Sequence, residues 1–498
     1  MAANVNWTAL AVFLFFFALV TVIGFAASRW QRGRSHKGAH LDEWGLGGRN
    51  FGAWITWFLV GGDFYTAYTV IAVPALVYAV GAYGFFALPY TIIVYPIVFL
   101  IMPRLWQEAR RAGHVTAADV VYGRYASRPL EAVVALTGLL ATMPYIALQL
   151  VGMQVVIQAL GLSGEFPLAA AFVILALYTY SAGLRAPALI AFVKDVMIYI
   201  VVIAAVVIVP ARLGGYGQVF SAAQASFAAK GGATGILLQP EQYLPFATLA
   251  LGSALAAFMY PHTLTGIFAA GSARTIRKNA IFLPAYTILL GLIALLGFMG
   301  HAANVAVKSN NDVVPALFNA LFPSWFAGFA FSAIAIGALV PAAVMSIGAS
   351  NLFTRNFWKP YVRSDITPAG EEKVAKLVSL VVKLGALGFV LFLPTQFALD
   401  LQLLGGLWIL QTFPAVVFGL YTRRLAAPAL LAGWAAGMVY GTWTAYADGV
   451  KPVHKLLLGV HSYTVYTGLL ALAVNVVVLV LVQLVVREAG QRRAPAAH

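Results

Sequence analysis

The sequence predicts an all-α integral membrane protein of about thirteen transmembrane helices, with its N-terminus outside and its C-terminus inside. Three observations lead there. Of 498 residues, 62% are hydrophobic and 9% are charged, and the mean hydropathy of +0.87 lies far from soluble globular composition. Thirteen apolar stretches reach the ~20 residues that a helix needs to cross a ~30 Å hydrocarbon layer. They are 7–28, 51–80, 85–102, 130–160, 166–184, 188–210, 242–270, 279–301, 324–354, 375–394, 398–421, 426–447 and 462–487, numbered here as spans 1 to 13. Finally, 24 of the 31 Lys and Arg fall in loops that strict alternation puts on one side. Five fall on the other, Arg212, Lys230, Lys308, Lys451 and Lys455, and the basic side is the inner one.

Span 1, WTALAVFLFFFALVTVIGFAAS, ends in small residues like a signal peptide. No positive charge precedes it and SRWQRGRSHK follows it, so it reads as an anchor with its start outside. The same charge asymmetry explains the net charge of +15 without a nucleic-acid partner; the partner it implies is the lipid bilayer. No cysteine occurs, which excludes disulfides and thiolate chemistry. The tail REAGQRRAPAAH is too short for a domain. No GxSxG, HExxH or P-loop occurs, nor any paired carboxylates with an obvious catalytic geometry, so neither an enzyme nor a metal or cofactor site is expected. A membrane protein without an ATP site that moves a solute uses a gradient.

Spans 2, 4, 7 and 9 are longer than the rest, and several carry Gly or Pro in mid-span. Span 2 contains LVGGDFYTAYTVIAVP and span 7 contains AAFMYPHTLTGIFAAG. Interrupted helices free backbone groups that must face protein or a water-lined cavity, so they mark a site near the midplane. Spans 2 and 7 lie five helices apart and run in opposite directions on the charge topology. That pattern predicts two inverted five-helix repeats and four regions: 1–50 with the first helix and a basic loop, 51–212, 213–424, and 425–498 with two last helices and a basic tail.

Charges inside spans are costly and mark candidate functional groups. Asp63 follows Gly61 and Gly62 where span 2 breaks; it suits a cap on the outer half-helix or a coupling carboxylate. Lys194 and Asp195 stand in IAFVKDVMIY of span 6. There the lysine either snorkels to the interface or is buried to fill a cation site or carry a proton. Lys383 in span 10 reads as a snorkelling residue or the partner of an acid. His262 follows Pro261 and Tyr260 at the break of span 7, and suits a substrate carboxylate, a proton relay or packing. Tyr145 and Gln149 share a face at i, i+4 spacing, and Gln411 lies deep in span 11; such groups orient small molecules or join helices.

Five stretches then resemble one family in the right order. They are GGRNFGAWITW, HVTAADVVYGRYASRPLEAV with YIALQLVG, YTYSAGLRA, PHTLTGIFAA and AAVMSIGASNLFTRNFW. Over about 47–424 the chain resembles the sodium:solute symporters, and within them the bacterial monocarboxylate permeases. The resemblance implies a leucine-transporter-like five-plus-five core in a bacterial inner membrane. It also implies symport of short acids such as lactate, pyruvate, acetate or propionate, and alternating access. Further, it implies a sodium site between spans 2 and 9, with backbone ligands at Gly62, Tyr65 and Ala343 and hydroxyls at Ser346 and the next residue.

That next residue is Ile347, which supplies no oxygen. Lys194 stands beside Asp195 ten residues after Arg185, a spacing longer than the family's, and related transporters replace sodium with a lysine on this helix. The sequence therefore favours proton coupling through Lys194, Asp195 or Asp63, with sodium coupling of a monocarboxylate or amino acid as the alternative and a non-transporting sensor as the rival class. The spans carry no midplane arginine. The substrate anion falls to the half-helix N-termini of spans 2 and 7, with Thr66, Tyr68, Tyr145, Gln149, Tyr260, His262 and Gln411.

Overall fold

The computed structural model describes residues 5–32, 40–62, 66–162, 166–231, 234–392, 398–459 and 461–493. Helical segments overlie each of the thirteen stretches. Among the described residues, eight helices are long and apolar enough to cross a membrane, or nine with one bent pair as a single span. Span 5 has a helix of 17 residues, Phe166–Ala182. Span 13 begins later than the hydropathy suggests. Its first residues form an antiparallel hairpin, Val453–Leu458 with His461–Tyr466, and the helix starts at Thr467. Alternation in HSYTVY satisfies a strand as well as an apolar run does.

Burial separates centre from rim. The most apolar 18 residues of span 9, helix Ser324–Phe353, are all buried, whereas spans 1 and 13 are 33% and 28% buried over theirs. On the rim, Phe15 and Val22 of span 1 and Leu481 and Val485 of span 13 stay exposed, as side chains facing lipid do. Small residues let neighbours approach span 9. A Cβ on Gly328 would lie 2.3 Å from the Ala9 carbonyl oxygen of span 1, and one on Gly348 would lie 2.9 Å from the Pro261 carbonyl of span 7. The small-residue face at Gly348 thus meets the break of span 7.

Span 7 is broken as its proline predicts. Helix Tyr243–Ala257 and helix Pro261–Ala269 meet at 48°, because Pro261 has no N–H to continue the first and is suited to start the second. In span 2, π-helical turns Trp57–Gly61 and Tyr68–Ala72 stand before and after residues 63–65, which are outside the described residues. The start of span 2 and the end of span 7 are tied together: Phe51 N–H donates to Ala269 O at 3.1 Å and Gly271 N–H donates to Phe51 O at 2.9 Å. Span 2 therefore leaves the end of the bundle at which span 7 arrives. The other ends of spans 2 and 3 turn at Gly81, with φ +69° and the Gly235 carbonyl oxygen only 2.0 Å from where a Cβ would stand, so only glycine fits.

A polar network closes the basic end. Thr116 and Asp119 form a capping box on the connecting helix Ala117–Tyr125. Asp119 also accepts from Asn356 Nδ2 at 2.6 Å, and the same amide donates to Glu131 of span 4 at 2.8 Å. Thr116 Oγ1 donates to Asn356 Oδ1 at 2.6 Å, and Arg128 pairs with Glu131 at 2.7 Å. The two resembling stretches HVTAADVV and SNLFTRNFW are thus joined physically, through one buried asparagine.

Replacing Asn356 with Ala strands three acceptor or donor groups and is expected to cost about 3 kcal/mol. The check is the melting temperature in detergent, which falls; Asn356→Asp lowers it more by adding a third carboxylate, and unchanged melting for both would show that the network contributes nothing.

Candidate functional site

At the break of span 2 the description stops at Gly62 and resumes at Thr66, so Asp63 and Tyr65 lie outside the described residues. On the far side, the first turn of the outer half-helix leaves amides without helical partners. Thr69 Oγ1 accepts from Thr66 N–H at 3.0 Å, Gln149 Oε1 accepts from Ala67 N–H at 3.0 Å, and Thr66 Oγ1 accepts from Tyr68 N–H at 2.9 Å. Three amides that the sequence offers to a substrate carboxylate are thereby held by protein oxygens. Thr66 and Gln149 act in this arrangement as caps. Thr69, which sequence reasoning passed over, belongs with them; its spacing of three from Thr66 is the signal.

Gly62, the last described residue before 63–65, meets a charge pair. Lys194 Nζ lies 3.1 Å from Asp195 Oδ1, with both side chains fully buried. It also donates to the Gly62 carbonyl oxygen. Asp195 Oδ2 accepts from the Tyr286 hydroxyl at 2.7 Å. Lys194 is buried here rather than snorkelling. The glycines permit the approach: a Cβ on Gly62 would stand 2.9 Å from Asp195 Oδ2 and 3.0 Å from Lys194 Nζ, and one on Gly61 would enter the Tyr286 ring. Tyr286 itself lacks any motif in the sequence.

Across on span 9, Ala343 O accepts from Ser346 Oγ at 2.8 Å. Ser346 Oγ in turn accepts from Ser379 Oγ at 3.2 Å, and Ser379 Oγ accepts from Lys383 Nζ at 2.7 Å. Ile347 is fully buried, packed where the resemblance calls for a hydroxyl. Lys383 is also fully buried, which overturns its reading as a snorkelling residue. Among the described residues no acid forms an ion pair with it, which also removes the reading as an acid's partner.

Three of the expected substrate residues come together. The rings of Tyr145 and Tyr260 lie 5.2 Å apart, Tyr145 and His262 5.3 Å, and Tyr260 and His262 5.2 Å. Tyr260 donates its hydroxyl to Gln402 O at 2.9 Å. Tyr68 packs edge-on to Tyr90, and its buried hydroxyl has no hydrogen-bond partner among the described residues. Gln411 is otherwise engaged. Its Nε2 donates to Leu407 O at 2.9 Å and its Oε1 accepts from Asn475 Nδ2 at 3.1 Å, which joins span 11 to span 13.

Below the break of span 7 a narrow cavity of 20 Å³ runs between Pro261, Thr265, Gly348, Asn351 and Val416, room for about one water. Val416 also lines a 410 Å³ cavity at the basic end, walled by Arg104, His114, Arg124 and Arg423. Burial, the largest cause, holds the His114 imidazole below the usual histidine range, with Asp119 opposing and Arg355 and Arg49 adding to it. Positive charge predominates in this cavity, which Glu108 also lines.

The profile of the Sodium:solute symporter family matches residues 44–437. A monocarboxylate transport permease protein of Rhizobium johnstonii is 70% identical over 482 residues, covering 97% of this chain and 98% of its own length. An uncharacterized symporter of Bacillus subtilis, YodF, is 33% identical over 498 residues, covering 97% and 95%. Among solved structures, the substrate-bound outward-open state of a Na+-coupled sialic acid symporter matches with a TM-score of 0.78 over 96% of this chain and 98% of that one. At 16% identity that likeness is one of fold. With the matching segment running from the helix before span 2 into span 12, and a relative this similar over nearly its whole length, the chain belongs to the sodium:solute symporter family.

Proposed function

We propose that this chain imports short monocarboxylates, of the lactate, pyruvate, acetate or propionate type, across a bacterial inner membrane by proton symport. The substrate class rests on the name of the Rhizobium relative and on the chemistry of one side-chain cluster. Tyr145, Tyr260 and His262 form a compact aromatic cluster without a fixed cation, which suits a small monoanion better than a sugar or a dicarboxylate. Alternating access then rocks one inverted repeat against the other around the breaks of spans 2 and 7.

One observation carries the coupling ion: the Lys194 ammonium sits on the Gly62 carbonyl. Sodium is a hard cation that needs several oxygens at once. Of those implied, Gly62 O already faces a fixed positive charge, Ser346 Oγ donates to Ala343 O, and Ile347 offers an alkyl group. Coupling one proton to one monoanion makes the cycle electroneutral, so membrane potential neither drives nor opposes it. Sodium coupling, of a monocarboxylate or an amino acid, is the second reading, favoured by the retained Ser346 hydroxyl and by the family.

Reconstituted protein is expected to accumulate labelled lactate or pyruvate under an inward proton gradient without sodium. A requirement for sodium at clamped pH, with no response to the proton gradient, would sink proton coupling; no saturable uptake of any acid tested would favour a sensor. Ile347→Ser alone is expected to remain sodium-independent, because Lys194 still covers Gly62 O. Only with Lys194→Met and Asp195→Asn added, which remove both charges so that neither is left buried alone, is a sodium response expected. In the same assay His262→Ala is expected to raise the half-saturating concentration about tenfold, the loss of about one hydrogen bond to a charged group; Gln411→Ala should leave that concentration unchanged and lower thermal stability instead.

A further inference from the structure

Two lysines reach the region that the family resemblance assigns to sodium, and they reach different halves of it. Lys194 donates directly to Gly62 O on the span 2 side. Lys383 reaches the span 9 side through a directed chain: Lys383 Nζ donates to Ser379 Oγ at 2.7 Å, Ser379 Oγ to Ser346 Oγ at 3.2 Å, and Ser346 Oγ to Ala343 O at 2.8 Å. Ser346 and Ala343 are the two span 9 groups named as ligands. We propose that Lys383, linked to span 9 through Ser379, is the group that takes up and gives off the coupled proton. The inference rests on the proton-symport reading above and adds to it the carrier.

The reason is the charge around each lysine. Lys194 has Asp195 at 3.1 Å, so a change of state at either member leaves the other's charge buried without that partner. Lys383 is bonded to the Ser379 hydroxyl and, at 3.4 Å, to the Ser379 carbonyl oxygen, both uncharged. The helical segments packed on span 10 are spans 4, 5 and 9, the turn Thr354–Trp358 that follows span 9, and the short helix His40–Leu46, and their acids are engaged elsewhere. Glu131 pairs with Arg128, Asp42 with Arg49 and Glu43 with Arg185. On its own helix, Glu371 pairs with Arg355 and Lys359, and Glu372 pairs with Lys376. The other titratable groups on these neighbours are His40, the first residue of the short helix, and three tyrosines: Tyr145 in the ring cluster, Tyr180 beneath Lys376, and Tyr178. Span 9 brings no charged group before Arg355.

A coupling site must change its charge by one unit during each cycle. Sodium does so by arriving and leaving. Lys383 does so by gaining a proton at Nζ from the outer aqueous phase and losing it to the inner one. Without that proton the amine lone pair accepts from Ser379 Oγ–H, so Ser379 no longer donates to Ser346. The state of the lysine is thereby written into the hydrogen bonding of span 9 at Ser346.

The test compares, in proteoliposomes of the full chain, lactate accumulation under an imposed pH gradient with lactate exchange at equal pH on both sides. Exchange needs no net proton movement and serves as the measure of folded, substrate-binding protein. A one-proton cycle with an inward gradient of about one pH unit sustains about tenfold accumulation. For Lys383→Gln the expected ratio of inside to outside lactate is about one while exchange persists. Tenfold accumulation by Lys383→Gln overturns the proposal, as does parallel loss of exchange and accumulation in protein that is monodisperse and still binds lactate. Should Lys383→Gln not fold, Ser379→Ala keeps the lysine and cuts the chain; its pH midpoint for uptake is expected to shift, and an unshifted midpoint overturns the proposal. If unaltered protein shows no pH-driven accumulation, the symport reading fails first and this one with it.

Discussion

The structure is organised by one contact, the Lys194 ammonium against the Gly62 carbonyl with Asp195 at its side. A broken helix in a bilayer exposes carbonyls that water cannot reach. The inner half of span 2 ends in such a carbonyl, and a buried ammonium answers it. That ammonium is tolerable because a carboxylate adjoins it, and the carboxylate because Tyr286 donates to its other oxygen. Each group satisfies the next, and the chain of requirements fixes the neighbours: glycine at 61 and 62, or the backbone would collide with Tyr286 and with the pair.

The outer half of span 2 obeys the same rule with neutral groups. Its first amides are taken by Thr66, Thr69 and Gln149, and Gln149 also reaches back to Tyr145 O, whose side chain meets Tyr260 and His262. The capping of one broken helix and the shape of the aromatic cluster therefore depend on a single residue of span 4. The amides at this helix end are thus already held by side-chain oxygens, one of them supplied by span 4.

Part of this was legible in the sequence because the bilayer restricts the options. Apolar length gave helical stretches, eight or nine of them long enough to cross a membrane among the described residues, Pro261 gave the break of span 7, and Lys194 beside Asp195 was conspicuous because charges in spans are rare. Less legible were roles that depend on who stands opposite. Gln149 and Gln411 look alike in a helix, yet one caps span 2 and the other binds Asn475 of span 13. Ser379 and Lys383 sit at i, i+4 in an ordinary apolar helix, and only the position of Ser346 across from them separates a relay from a snorkelling lysine. The hairpin before span 13 was missed because an alternating edge strand and an apolar helix start share composition.

Fold likeness does not carry the coupling ion with it. The Na+-coupled sialic acid symporter shares this architecture at a TM-score of 0.78, and the positions around span 9 are where the chemistry can diverge without disturbing it. Ile347 fills volume that a hydroxyl and an ion would share, and Ser346 turns its hydrogen to Ala343 O. A mobile ion leaves its ligands bare on departure, whereas the Lys194 ammonium is tethered to the chain that carries Asp195 beside it, so the partner of the Gly62 carbonyl belongs to the protein itself.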